Sequence, residues 1–389
     1  MEIIFKYSWE VVSIIKIKRD LNDLLYRNKA FLNRYEVDRP LVGIHIWDPK
    51  FRKLYKETNK AIPEKGEVKP DAIITENFLK DISRIIAMNE NIGGDLFWSI
   101  APYIYIPWME AIIGCPIYSS ETTFYSKPFI DDWDDFYNKE IDLSRNNKWL
   151  SKLLELQSTL VEYLGDSYPI SSSALLRGPV DMVSAALGQT RMPLELYDNP
   201  EKVGETYSLY ANVFINVAKL QNEIASKSKF GGYTVNAYGI WTPSVCQYLQ
   251  DDAMTFLSPK FYKRLVLKNH IKIVNSFDSI FYHVHPVSLF VIDELLNMEK
   301  VCIIEVNREP ETTGPSIKEL LPTFKKIQEN NKCLLVNFTQ GAVGLDLFKE
   351  EIGIICKNLS YKGLCIYAMA DDVEDGIKKM SIIKRELGS

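Results

Sequence analysis

The chain has 389 residues, 46% of them hydrophobic and 25% charged, the composition of a globular protein able to bury a large core in one large domain or two smaller ones. Lys+Arg 46 against Asp+Glu 51, a net charge of -5 and no long basic run exclude the electrostatic footprint of a nucleic-acid or acidic-membrane binder. Cys115, Cys246, Cys302, Cys333, Cys356 and Cys365 are scattered and no secretory leader precedes them, so a reduced, cytoplasmic protein is expected.

Met1 to Ile17 carries Lys6, Glu10 and Lys16, is too polar and short to span a bilayer, and reads as an amphipathic helix. Trp9 to Arg34 keeps apolar residues at helical spacing until Asp38, Arg39 and Pro40 end the pattern. Residues 1–38 are therefore an N-terminal helical extension without chemistry of its own, ahead of a domain over 39–389. Leu41 to Trp47 is the first strand, followed by a solvated Lys- and Glu-rich stretch, a helix over Asp71 to Asn91 and a strand over Gly93 to Trp98. Ile112 to Asp135 is irregular and too aromatic for disorder, and it is expected to cover one end of the fold.

From Asn146 the punctuation becomes regular. A helix over Trp149 to Leu164 leads into a strand over Tyr168 to Leu175, a loop over Arg177 to Asp181, a helix over Pro200 to Ser226 and a strand over Gly232 to Tyr238. Ser258 as N-cap and Pro259 at the first helical position open a helix running to Phe277. Strands over Ile280 to His285, Val301 to Val306, Lys332 to Phe338 and Gly363 to Ala368 then alternate with helices over Leu289 to Met298, Ser316 to Asn330, Leu345 to Lys357 and Val373 to Arg385. Strands near residues 41, 94, 168, 232, 280, 301, 332 and 363 make eight, the number that closes a parallel barrel, so the predicted fold is α/β, a single (β/α)8 TIM barrel. An open doubly wound sheet is the competitor, but no Gly-x-Gly-x-x-Gly turn follows the first strand and no Walker loop occurs.

A barrel places its active site at the C-terminal strand ends. There the chain carries His45, Trp47 and Asp48, Trp98, Asn236 and Tyr238, His283 and His285, Glu305 and Asn307, Asn337, and Cys365 with Tyr367. His283 and His285 are two residues apart in an apolar run, so they share one face of a strand that Pro286 ends. Glu305 lies in the next, otherwise apolar, strand, and its burial calls for a cation or a hydrogen-bond network. Cys365 in the last strand can face the same lumen. His283, His285, Glu305 and Cys365 thus make a four-ligand set for zinc, whose donors are N, O and S. The plainer alternatives are two satisfied histidines, an ion pair of Glu305 with Arg308 or a lysine, and Cys365 as a small core residue. Glu305, Asp95 and Asp48 are the catalytic candidates; His45, Trp47, Trp98, Asn236, Tyr238, Asn337 and Tyr367 are the candidates for a small-molecule pocket.

Arg177 to Met182, followed by Leu196 to Glu201, Leu257 to Tyr262 and the helix into Tyr282 and His283, resembles the uroporphyrinogen decarboxylase superfamily over roughly residues 40 to 385. The resemblance implies a (β/α)8 barrel. Its decarboxylase branch would imply an Arg-rich loop at the first strand, where this chain has Ile46, Trp47, Asp48 and Pro49, although Asp95 sits where that branch has an aspartate. Its zinc-dependent corrinoid methyltransferases, similar in site layout to cobalamin-independent methionine synthase, imply a His-x-Cys strand end, a Glu on the next strand and a Cys on the last. His283, Glu305 and Cys365 match that order, and His285 stands where the pattern has Cys. The implied function is transfer of a methyl group to a thiol, from a methylcorrinoid on a partner protein or from a methylated small molecule. Alternatives are a decarboxylase, a zinc hydrolase using Asp48, Asp95 or Asp252 as base, and a metal-free member binding ligands with Trp47, Trp98, Tyr238 and Trp241.

Overall fold

A computed structural model describes residues 17–48, 52–137, 140–310, 312–339 and 341–388. Six apolar runs form one curled parallel sheet: Leu41–Ile46 (β1), Cys246–Leu249 (β2), Ser279–Val284 (β3), Val301–Arg308 (β4), Cys333–Phe338 (β5) and Leu364–Ala370 (β6), in the order β1-β6-β5-β4-β3-β2. Side chains alternate between two cores, as strand geometry requires. On β6, Leu364, Ile366, Ala368 and Ala370 face the outer layer, where they join the apolar sides of Ile317–Glu329, Leu345–Asn358 and Val373–Glu386. Cys365 and Tyr367 face the concave side, where they join Leu41, Tyr248, Phe281, Ile303 and Leu335. That second core fills the lumen.

The expected ring of eight strands appears here as six. Gly93–Trp98 and Tyr168–Leu175 join no ladder of this sheet, and Tyr233–Thr234 pairs antiparallel with Trp241–Thr242 instead. These stretches span the arc between β1 and β2 through short contacts, the Asp95 N–H to Val42 O bond at 2.7 Å and isolated parallel bridges at Ile100–Ile170, Ser171–Thr234 and Arg177–Gln250, with Ser171 N–H to Ile100 O at 2.7 Å, Thr234 N–H to Ile170 O at 2.9 Å and Gly178 N–H to Gln250 O at 2.7 Å. Their sequences account for this. Gly93 and Gly94 adopt φ of +84° and +94°, outside the strand region, and the Ser171 hydroxyl bonds the Ser173 carbonyl at 2.8 Å, a local alternative to a ladder. Strand β2 was not among the expected eight, because its Cys-Gln-Tyr-Leu run is short and carries no β-branched residue.

The helices follow their local signals more closely. Ser258 Oγ accepts the Phe261 N–H at 3.3 Å, and Ser316 with Glu319 forms a reciprocal capping box on Ile317–Glu329. The first helix (α1) is Leu21–Leu32, capped by Asp20; residues 9–16 of the expected helix, and Met1 to Lys16 generally, lie outside the described residues. This helix closes the floor of the lumen. Phe31 enters the inner core, and Asn28 donates to Asp95 O at 2.9 Å while accepting the Trp241 N–H at 2.8 Å. Leu289 to Met298, expected as one helix, is a 3-10 turn over Pro286–Val291 followed by the short helix Ile292–Leu296. The aromatic segment 112–135 folds into strands Ile117–Ser119 and Phe124–Ser126, which pair with each other, and Ile117–Ser119 also pairs with Gly66–Glu67. Among the described residues no helix is long and apolar enough to cross a membrane.

Candidate metal centre

β3 delivers the histidines as strand geometry predicts. His283 lies in β3 and is paired in register with Glu305 of β4; His285 follows immediately, before Pro286. The two imidazoles face each other at right angles with ring centroids 4.7 Å apart and Nε2 atoms 3.0 Å apart. The segment after β2 brings in Asp252, whose Oδ1 is 3.2 Å from His285 Nε2 and 3.7 Å from His283 Nε2. Among the described residues, Asp252, His283 and His285 form the group of potential metal donors.

The far side of each ring is held by a carboxylate. Glu305, fully buried, pairs with His283 Nδ1, and Glu309 Oε1 lies 2.5 Å from His285 Nδ1. Carboxylates in these positions fix the ring orientation and make the inward nitrogen a better donor. A third tier steadies them: Tyr238 OH is 3.3 Å from His283 Nδ1, Asn307 Nδ2 is 3.3 Å from His285 Nδ1, and Asn337 Nδ2 donates to Asn307 Oδ1 at 2.7 Å. Burial opposes charge on Asp252 and His285 alike. Their attraction outweighs it, holding the Asp252 carboxyl below its usual range and, with Glu309, raising His285 well above the usual imidazole value.

The donor set fits a divalent ion. A tetrahedral zinc with bonds of ~2.0–2.2 Å keeps its ligand atoms about 3.3–3.5 Å apart. The separations of 3.0, 3.2 and 3.7 Å bracket that span. Glu305 Oε1 is buried without a hydrogen-bond partner among the described residues, a state that costs free energy unless a cation or proton resides nearby.

Of the expected ligands, His283, His285 and Glu305 come together, with Glu305 behind His283. Cys365 does not join them. It is fully buried in the lower lumen with Leu41, Cys333 and Leu335, and burial, reinforced by the charge of Asp95 and by Cys333, pushes its thiol well above the usual range. The reason is its place in the sheet. Cys365 is in register with Leu335, Leu335 with Glu305 and Glu305 with His283, so one hydrogen-bonded row holds all four. Three strand steps of ~4.8 Å separate Cys365 from His283, and Cys365 is the second residue of β6 whereas His283 is the last but one of β3.

The remaining expected residues divide between rim and frame. Tyr238 stacks on Phe281 at 4.8 Å, Tyr238 meets Tyr367 at 5.1 Å, Tyr367 meets His45 at 5.3 Å and His45 meets Trp98 at 5.2 Å, a band crossing the lumen from the metal group. Gly239 permits this. It has φ +70°, and a Cβ there would fall 1.7 Å from Phe97 O. Asn236 donates to Ser173 O at 2.9 Å, and Trp47 packs on Tyr105 at 5.6 Å. The two catalytic aspartate candidates are occupied elsewhere: Asp48 Oδ2 accepts the N–H groups of Lys53 (2.6 Å) and Leu54 (3.1 Å), and Asp95 pairs with Arg39 and accepts the Val42 N–H at 2.9 Å. Trp241, expected at the mouth, is tied to α1 at the floor. Glu309 is the contribution that sequence reasoning missed; Asp252 was read only as a hydrolytic base. The available signal was the acidic pair Asp251 and Asp252, one residue beyond the Cys-Gln-Tyr-Leu run at 246–249.

A scan against protein-family models and a search of curated proteins each found no match to this chain.

Proposed function

We propose that this chain is a metal-dependent methyltransferase of the cytoplasm, built on a (β/α)8 barrel whose irregular arc over residues 93–100 and 168–178 completes the ring of eight. Zinc is the ion, and a small-molecule thiol is the methyl acceptor. The observation that carries the reading is the convergence of His283 Nε2, His285 Nε2 and Asp252 Oδ1, with a carboxylate behind each ring, at the C-terminal end of a parallel sheet. When bound, the ion would supply Lewis acidity that lets a thiol ionise near neutral pH. Glu305 and Glu309 hold the donors in place, Asp252 faces the open side, and Tyr238, Tyr367, His45 and Trp98 form an aromatic wall along which a small molecule is oriented. The methyl donor would be a corrinoid carried by a partner protein or a methylated small molecule.

A second reading, metal-assisted hydrolysis, draws on one specific observation. The group of donors contains no sulfur, with His285 where the thiol methyltransferase pattern has Cys, and a set of two nitrogens and one oxygen is harder. Elemental analysis of protein purified without chelator tests what the two share, with one zinc per chain expected. Assays for thiol-dependent against water-dependent turnover then separate them. A chain that neither retains zinc nor takes it up stoichiometrically would overturn both.

A further inference from the structure

Beside Asp252, on the side away from the histidines, a cavity of about 510 Å³ is bounded by Ser126, Pro128, Arg177, Asp181, Gln189 and Asp252. The covering segment 112–135 thus forms one wall and the N-terminal end of the helix Pro179–Leu187 another. Two groups on these walls have unused hydrogen-bonding capacity. Asp181 is 6% exposed; its Oδ1 accepts the Ala253 N–H at 2.7 Å, while Oδ2 is buried with no partner among the described residues. Arg177 has five N–H donors, and among the described residues it makes one hydrogen bond, from Nη1 to Glu110 Oε1 at 3.0 Å. Its side chain is 46% exposed, whereas Glu110 is fully buried, so the carboxylate braces the guanidinium from behind and leaves the rest of the fork open. The two main-chain donors at this helix end are already used: Asp251 Oδ1 accepts from Val180 (2.8 Å) and Asp181 (3.1 Å).

A planar fork of free N–H groups matches a carboxylate. The orphaned Asp181 oxygen calls for a partner on the same molecule. A hydroxyl, which both gives and takes a hydrogen bond, suits it whether or not the carboxyl carries a proton. We propose that this cavity binds a small hydroxycarboxylate, with its carboxylate on Arg177 and its hydroxyl on Asp181, presenting the rest of the molecule to Asp252. The assignment rests on the metal reading above only for where the reacting end points.

The test is calorimetric titration of the full chain, zinc-loaded and chelator-stripped, with lactate and 3-hydroxybutyrate against propionate, butyrate and alanine. At least one hydroxy acid should bind severalfold more tightly than its deoxy counterpart and than alanine. Arg177→Gln should weaken that binding about tenfold. Arg177→Lys, which keeps a cation beside Glu110 and guards against misfolding, should fall between, and Asp181→Ala, which removes the hydroxyl's partner, should erase the preference for the hydroxyl. Equal binding of hydroxy and deoxy acids, a preference for alanine, or affinity unchanged in the Arg177 or Asp181 variants overturns the proposal. Zinc content measured on the same samples separates the two readings. Hydroxy acid binding through Arg177 in a chain that holds no zinc sinks the metal reading alone, and zinc binding without it sinks this one alone.

Discussion

On β4, Ile303 faces the lower lumen and Glu305, two residues on, faces the metal group; on β6 the same step leads from Cys365 to Tyr367. The strands are shared, but their two ends meet different surroundings. At the floor, α1 inserts Phe31 among Leu41, Leu335 and Cys333, and the contacts are apolar. At the rim, the segments after β2, β3 and β4 add Asp252, His285 and Glu309, each of which needs charge compensation from the others. A donor residue on the correct face therefore becomes a ligand only at the correct height. Cys365 satisfies the first condition and not the second.

The largest effect expected from this contrast is on metal content. His283→Ala or Asp252→Ala should abolish stoichiometric zinc by elemental analysis, whereas Cys365→Ala should leave it intact; loss of zinc in the cysteine variant would return Cys365 to the coordination sphere. His283→Ala also strands Glu305, so chemical denaturation should register a loss of about 3 kcal/mol or more.

The opposite arc of the rim offers a pH test. Burial, reinforced by the charge of Arg19, holds His45 down to about 3, with no carboxylate to compensate. An unfolded chain takes up this proton near pH 6.5 and the folded one does not, so the stability contributed is fully present above pH 6.5. It should fall as the pH drops towards 3, by up to about 4 kcal/mol. His45→Gln should flatten that part of the stability profile. An unchanged slope would show that His45 gains a proton in the folded state.

Smaller effects follow at the residues behind the ligands and at the floor. Glu305→Gln and Glu309→Gln should each weaken zinc about 10- to 100-fold in competition with a chromophoric chelator, without abolishing binding; an unchanged affinity in both would make these carboxylates mere ion-pair partners. Cys365→Ala should cost about 1 kcal/mol of stability through lost packing, read from its denaturation midpoint. A shift in metal affinity of the same variant would contradict the division of the lumen into rim and floor.

Much of this arrangement was legible in local pattern. Period-two spacing puts His283 and His285 on one face, Pro286 ends their strand, and the apolar runs of β1 and β3 to β6 and the caps at Ser258 and Ser316 are written in neighbouring residues, because strand alternation and helix capping act over a few positions. What only the tertiary structure decided depends on relations between distant segments. Strand order and register set the position of Cys365 against His283, and no local spacing encodes them. The glycine-bearing stretch at 93–98 and the serine-bearing stretch at 168–175 leave ladder geometry for local reasons, but which distant segments they bond to is set only by the tertiary structure. Asp252 joins the candidate metal donors, while Asp48 and Asp95 serve the frame, because chain crossings far apart in sequence place one carboxylate beside two imidazoles and give the others backbone N–H groups and an arginine.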